Sequence, residues 1–440
     1  MTQKQQQSNI LTIIICFFLF GMISFVTGMQ DPFGVIVRAQ FKATNAMSQL
    51  GNMANFIAYA CMGLPAGMLL KRYGYKVTSL WAVGIGFVGV CITFMSGRMG
   101  SFGVYLTGAF VSGFSMCLLN SIVNPMLNTL GGGGKRGHQL VQWGGSCNSL
   151  NATIVPILIG YLIGTVSRDT QIADANPALY IAMGIFAFAF IVLCFAPIPE
   201  PELEAARARM ERGVKNEEKM GESIRKTLRY KHFVYGAIGV WLYVGLEVCI
   251  ANVTNLYLTS SEIGVAASVS GTIVGMYWFF MLIGRLTGGT IGGRVSSRAM
   301  LTAVSVACIV LLALGMIFSD SVQVFFPAID KTTFSFSMHK IPIAAMFFVL
   351  CGFCTSIMWG SIFNLSVEGL GEHTSMASGL FMMMVFGGGI LPFVQSHLAD
   401  QWGFILSYAV PLAAAAYILW FAVSGSRLAA ENETGSKQTL

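Results

Sequence analysis

Two carboxylates stand inside stretches of sequence that are otherwise almost uniformly apolar. Asp31 lies in TGMQDPFG, beside Gln30, and Glu247 lies in YVGLEVCIANVTN. Desolvation favours the neutral form of a carboxylic acid. An acid that faces a cavity in an apolar medium can therefore bind a proton on one side and release it on the other. Asp31 and Glu247 are the acids at or near the middle of an apolar run, so they are the candidates for proton coupling. Asp31 is preferred, although its place late in the run also suits a structural cap on the segment that follows.

Amides surround these acids in the sequence. Asn120, Asn124 and Asn128 recur every four residues and share a helix face, interrupted by Pro125. Asn148 and Asn151 are three apart, with Gln142 upstream, and Asn252 and Asn255 follow Glu247. In MWGSIFN, Trp359 precedes Ser361 and Asn364. Amides that donate and accept hydrogen bonds, next to an aromatic face, complement the hydroxyls and C–H patches of a sugar ring. A hydrophobic cation would call for aromatics and acids with few amides, and an anion for buried arginine or lysine. The cations nearest to run interiors, Arg38 and Arg285, fall at run ends, so a neutral solute is expected. The plainer alternative is that the amides only tie helices together. No nucleophile–histidine pair or paired carboxylates suggest an enzyme. The cysteines sit singly in apolar runs and read as packing, and nothing suggests a metal or cofactor.

Placing these residues takes a membrane. Of the 440 residues, 55% are hydrophobic and only 10% charged, too little charge for a water-facing surface. Mean hydropathy is +0.69. Runs long enough to cross the hydrocarbon layer as helices fall at 10–36, 46–70, 77–96, 101–129, 139–166, 177–197, 232–258, 264–290, 299–318, 341–367, 373–396 and 402–424. The first is too long for a signal peptide and leads into further membrane helix. Phe325 to Phe336, with Asp330 and Lys331, is assigned to an outer loop. With the N-terminus inside, Arg38, Lys42, Arg98, Arg168, Lys331 and Lys340 lie outside and the remaining lysines and arginines inside. This bias puts both termini in the cytoplasm.

The expected fold is an all-α polytopic membrane protein of the major facilitator kind, with twelve transmembrane helices in 6+6 pseudo-symmetric halves. Residues 1–199 form an N-terminal six-helix bundle, 200–231 a cytoplasmic linker with a surface helix, and 232–440 a C-terminal six-helix bundle. GMLLKRYGYK (Gly67, Lys71, Arg72, Lys76) and GRLTGGTIGGRVSSR (Gly284, Arg285, Arg294) occupy equivalent loops. Both read as gating contacts that form and break as the halves rock about a midplane site.

Beyond these residues, an ordered series of segments resembles the fucose–galactose–glucose proton symporters, the L-fucose permease group of the major facilitator superfamily. The series comprises the Gln30-Asp31 turn, PAGMLLKRYGYK, VNPMLNTLG, CNSLNATIVPILIG, YVGLE, IGRLTGG, SIMWGSIFNLSVEGLG and ASGLFMMMVFGGGILP. The resemblance implies a monosaccharide such as glucose, galactose or fucose, driven inward by protons through a bacterial cytoplasmic membrane. It implies a coupling role for Asp31 and a sugar-facing amide at Asn148. Two positions depart from the group: its fourth-span glutamate falls at Asn120 here, and a substrate-contacting glutamine at Gly145. Coupling then rests on Asp31 or Glu247, or the sugar moves as in a uniporter without a proton. Proton-coupled export of small polar compounds is a further alternative, and a non-transporting sensor the least favoured. A monomer is expected, with the sugar, the proton and the bilayer as partners and no nucleic acid.

Overall fold

The computed structural model describes residues 3–130, 134–163, 170–200, 220–291, 295–318, 322–330, 335–370 and 373–427. Within these, the side chains of Gln30, Asp31, Lys71, Asn128 and Gln142, among others, lie outside the described part. Helix α1 (Gln3–Gly28) continues through Met29 into α2 (Gln30–Gln40), with Pro32 in the first turn of α2, where a missing N–H costs nothing. After α3 (Asn45–Ser48) comes α4 (Leu50–Met99), which contains two of the expected spans joined at a corner. The corner is Gly74, at φ 78 and ψ −178, a region open essentially only to glycine. A β-carbon there would also run into the Glu200 carboxylate. That carboxylate accepts from the backbone N–H groups of Tyr75 (2.6 Å) and Lys76 (2.8 Å), just past the corner.

The chain goes on through α5 (Phe102–Leu130), α6 (Gly134–Ile163), α7 (Asn176–Phe195), α8 (Met220–Thr227), α9 (Lys231–Leu258), α10 (Ala267–Ile291) and α11 (Ser297–Phe318). Strands β1 (Gln323–Asp330) and β2 (Ser335–Pro342) precede α12 (Ile343–Thr355), α13 (Met358–Val367), α14 (Thr374–Met383), α15 (Gly387–Trp402), α16 (Phe404–Ser407) and α17 (Ala409–Trp420). Among the described residues, 11 helical stretches are long and apolar enough to cross a membrane. Helix α6, of 30 residues, lies where the fifth span is expected. Of the expected linker, α8 is a short helix with a Lys226–Glu222 ion pair at 3.3 Å, and residues 201–219 lie outside the described part.

The segment assigned to a loop around Phe325 to Phe336 is an antiparallel hairpin, in which Phe325 pairs with Lys340 and Pro327 with Met338. Its alternation explains this: Phe326, Ala328 and Ile341 are buried while Phe325, Met338 and Lys340 are exposed.

Large apolar side chains such as Trp81, Phe188, Ile191 and Val310 remain exposed on the helices, as a lipid-facing surface requires. Inside, small residues let helices approach closely. Gly387 of α15 lies against the Trp241 carbonyl of α9. Gly388 meets Phe56 of α4 and Val244 of α9, and Gly389 meets the Met53 backbone of α4. Helix α15 is thus pressed between an N-terminal helix and a C-terminal one with almost no side chain in the way.

Candidate functional site

Glu247 and Tyr243 are one turn apart on α9 and share a face. Arg285 of α10 is close enough for its charge to act on both. The Tyr243 hydroxyl is buried and makes no well-formed hydrogen bond among the described residues. Trp359 of α13 closes one side of this group, with its ring centroid 6.2 Å from Tyr243 and 5.4 Å from Phe381. On the far side, the Arg285 guanidinium crosses to the N-terminal helices. It donates to the Gly145 carbonyl at 2.7 Å and to Ser149 Oγ at 2.8 Å, both on α6.

This position for Arg285 corrects the expectation that it sits at a run end. The residue lies well before Ile291, and helical side chains lean towards the N-terminus of their helix. The guanidinium therefore reaches into the bundle. The site does hold a half-buried cation, contrary to the argument that excluded anions for want of one. The Glu247 carboxylate offsets that charge, so the pair remains suited to a neutral, hydroxyl-bearing solute.

The N-terminal helices contribute amides. Asn120 Nδ2 donates to the Tyr59 hydroxyl (3.0 Å) and to the Met116 carbonyl (3.1 Å). Asn124 and Asn151 each donate to the carbonyl four residues earlier, at 3.0 and 2.9 Å. Folded back in this way, each carboxamide keeps its oxygen as an acceptor, the group a sugar hydroxyl donates to. Asn148 is half-buried on α6, one residue before Ser149, and Ser24 holds its backbone carbonyl at 2.7 Å.

Asn255 accepts from Ser270 Oγ at 2.6 Å and ties α9 to α10. Asn252 donates to Gln49 Oε1 at 2.9 Å, with both residues buried. Asn364 is exposed on α13. Asp31 and Gln30 open α2, and Gln142 lies on α6, but their side chains are outside the described part.

Of the expected gating residues, Lys76 bonds within its own set of helices, to the Cys194 (2.9 Å) and Ala196 (3.0 Å) carbonyls. Arg72 lies over the Tyr73 ring, 5.3 Å from its centroid. Gly67 has open space where a side chain would be, while Gly284 packs against Ser356. The Lys71 side chain and Arg294 lie outside the described residues. Among those described, Arg285 is the member of the two loops that reaches the opposite set of helices.

Sequence reasoning did not single out Tyr59, Tyr243, Gln49 or Ser149. Tyr243, a turn before Glu247, carried a readable signal; the others are recognisable only through partners distant in the chain. No cluster of three or more potential metal ligands occurs among the described residues.

Known proteins agree with this architecture. The chain is 26% identical over 430 residues to a glucose/galactose transporter of Brucella abortus, covering 97% of this chain and 96% of that one. It is 27% identical over 442 residues to a putative glucose/galactose transporter of Helicobacter pylori, covering 96% and 98%. In three dimensions it matches the Escherichia coli fucose:proton symporter with a TM-score of 0.68, at 18% identity over 94% of this chain and 98% of the other. The resemblance found in the sequence is thus borne out along nearly its whole length. The model of the Major Facilitator Superfamily matches residues 13–393. With its polar groups turned inward between two sets of apolar helices, the chain belongs to that superfamily, whose members move solutes across membranes rather than transform them.

Proposed function

We propose that the protein imports a neutral monosaccharide of the glucose, galactose or fucose kind together with a proton, as a multi-pass protein of the bacterial inner membrane. The observation that carries this reading is the Glu247–Tyr243–Arg285 group. It has no net charge when the acid is ionised, it is walled by Trp359, and it reaches α6 beside Asn148 and Asn151. Ionised and amide groups bind hydroxyls, and an indole face binds the C–H side of a pyranose. The sugar would lie between Trp359 and the amides Asn120, Asn124, Asn148 and Asn151. Gln30, Gln142, Asn252, Asn255 and Asn364 have weaker claims to touch it.

In this reading residues 1–199 and 232–440 are two six-helix bundles joined by 200–231, giving twelve spans with both termini in the cytoplasm. They rock as a monomer about the midplane site. Asp31 or Glu247 takes the coupling role, and Arg285, with the loops at Gly67, Lys71, Arg72, Lys76, Gly284 and Arg294, governs the cytoplasmic side. Uptake without a proton is the second reading, favoured by the amide at Asn120.

The test is uptake of labelled hexoses and L-fucose into proteoliposomes with and without an inward proton gradient, for the parent, Asp31→Asn and Glu247→Gln. Gradient-dependent accumulation, lost in either variant, supports symport with that residue as the coupling acid. Equilibration indifferent to the gradient would leave a uniporter, and indifference to every sugar would sink the substrate class.

A further inference from the structure

Hydrogen bonds between the N-terminal and C-terminal helices gather at the end of the bundle that carries Arg38. The Arg38 guanidinium, at the end of α2, donates to the Leu256 carbonyl (3.3 Å), the Thr259 carbonyl (3.0 Å) and Thr259 Oγ1 (3.0 Å). These carbonyls belong to the last turn of α9 and to Thr259, the residue that caps it, where backbone acceptors have no helical donors and the helix dipole favours a cation. The reverse arrangement lies beside it. Asp400, near the end of α15, accepts from the backbone N–H groups of Asn45 (2.9 Å) and Ala46 (2.9 Å), the first two residues of α3. The N–H groups of that first turn have no acceptor within their own helix and suit an anion. Asn45 connects the two, donating from Nδ2 to Asp400 (2.8 Å) and accepting from Arg38 (2.9 Å).

A polar stripe continues inward. Asn45, Gln49 and Asn52 recur at helical spacing along α3 and the start of α4. Gln49 accepts from Asn252 at 2.9 Å, and Asn52 donates to the Gly388 carbonyl at 2.8 Å.

We propose that Arg38 and Asp400 form a reciprocal pair of helix caps in trans, each completing a helix end of the opposite set, and that this pair is the latch that holds the Arg38 end shut during the transport cycle. The caps need both sets of helices in register, so they exist only in that state. When the end opens, water can take over each freed N–H and C=O, which makes the latch reversible. Gln49 and Asn52 extend it towards the site. The residues act by positioning helices and do not touch the solute.

The test uses the full chain with its 10 cysteines replaced, spin labels at Met47→Cys and Glu262→Cys, and distances measured by electron–electron double resonance in lipid nanodiscs. Both label sites are exposed and lie at the Arg38 end, on opposite sets of helices. The parent is expected to show mainly the short distance. Arg38→Gln and Asp400→Asn should each raise the ratio of long to short distances about tenfold, the equilibrium effect of roughly one charge-assisted hydrogen bond. The exchange Arg38→Asp with Asp400→Arg should raise it further, because each helix end then faces a charge of its own sign.

An unchanged distribution in every variant overturns the latch. Recovery of the parental distribution in the exchanged pair overturns the capping and makes the two residues a plain ion pair. Where a Gln or Asn variant does not elute as a folded species, Arg38→Lys reads the same contrast: a smaller rise is expected, and no rise overturns the proposal. No sugar or gradient enters the measurement, so it can fail while the transport reading stands, and the reverse.

Discussion

At the Arg38 end, Arg38 and Asp400 reach from one set of helices to the other, whereas at the Lys76 end Glu200, Lys76 and Arg298 turn back into the set they come from. Glu200 caps the corner after Gly74, and Lys76 closes on carbonyls at and just beyond the end of α7, all within the N-terminal helices. In the C-terminal helices, a His232 ring nitrogen bonds the Glu368 carbonyl at 2.9 Å, and Arg298 donates to the Ser426 carbonyl at 3.2 Å. The groups are of the same kinds at both ends, and the difference lies in whose backbone they complete. Bonds inside a set stabilise that set in every state of the cycle. Bonds between sets stabilise one state at the expense of another. Sequence charge counts cannot separate the two cases, because a cation at a helix end looks the same in both.

Arg285 offers the sharpest test of this contrast, since among the described residues it crosses between the sets deeper in the bundle than the Arg38 latch. Arg285→Ala would strip Glu247 of its counter-charge and remove both bonds to α6. Uptake in proteoliposomes should fall by about 100-fold or more, the scale of a buried charge left unpaired, with partial recovery in Arg285→Lys. Parental uptake in Arg285→Ala would remove the charge pair from the site.

Next in size is Gly74→Ala. Strain at that backbone conformation, together with the crowding of Glu200, should cost about 2–3 kcal/mol, read as a lower Tm in detergent. The Met47–Glu262 label distance at the opposite end should stay as in the parent. Glu200→Gln removes the charge from two backbone contacts and should cost about 1–3 kcal/mol, again with that distance unmoved. If either variant shifts the distance while leaving Tm alone, the division of labour between the ends is wrong. The smallest effect belongs to Lys226→Ala on α8. Its pair with Glu222 is exposed on both sides, 43% and 58%, so stability should change by less than about 0.5 kcal/mol.

Much of the fold could be read from the sequence because lipid imposes a simple rule: apolar runs of spanning length, broken by turn residues. The same rule drew attention to Glu247, whose cost in lipid demands a partner. It could not supply the partners. Asn252 and Gln49 meet across 203 positions of chain, and Asn120 and Tyr59 across 61, separations that no local pattern encodes. Asn255, like Asn252, follows Glu247 in the sequence and reads there as one of the amides that could meet a sugar. What the sequence cannot tell is that the neighbouring helix presents Ser270 to it, so that two short polar side chains bond each other there. The hairpin at Gln323–Pro342 escapes a sequence reading because two short alternating segments resemble loop when each contains a proline and Asp330 and Lys331 put charge in the middle.

The three glycines of α15 bear on speed rather than on affinity. Where two helices interlock through large side chains, one can roll past the other only by lifting each chain out of its socket, and every lift adds to the barrier. At Gly387, Gly388 and Gly389 the helix offers a nearly smooth face to Trp241, Phe56, Val244 and Met53. Such a face works as a plain bearing. It carries the load of two halves pressed together and still lets one turn on the other, so a close contact need not be a slow one to move.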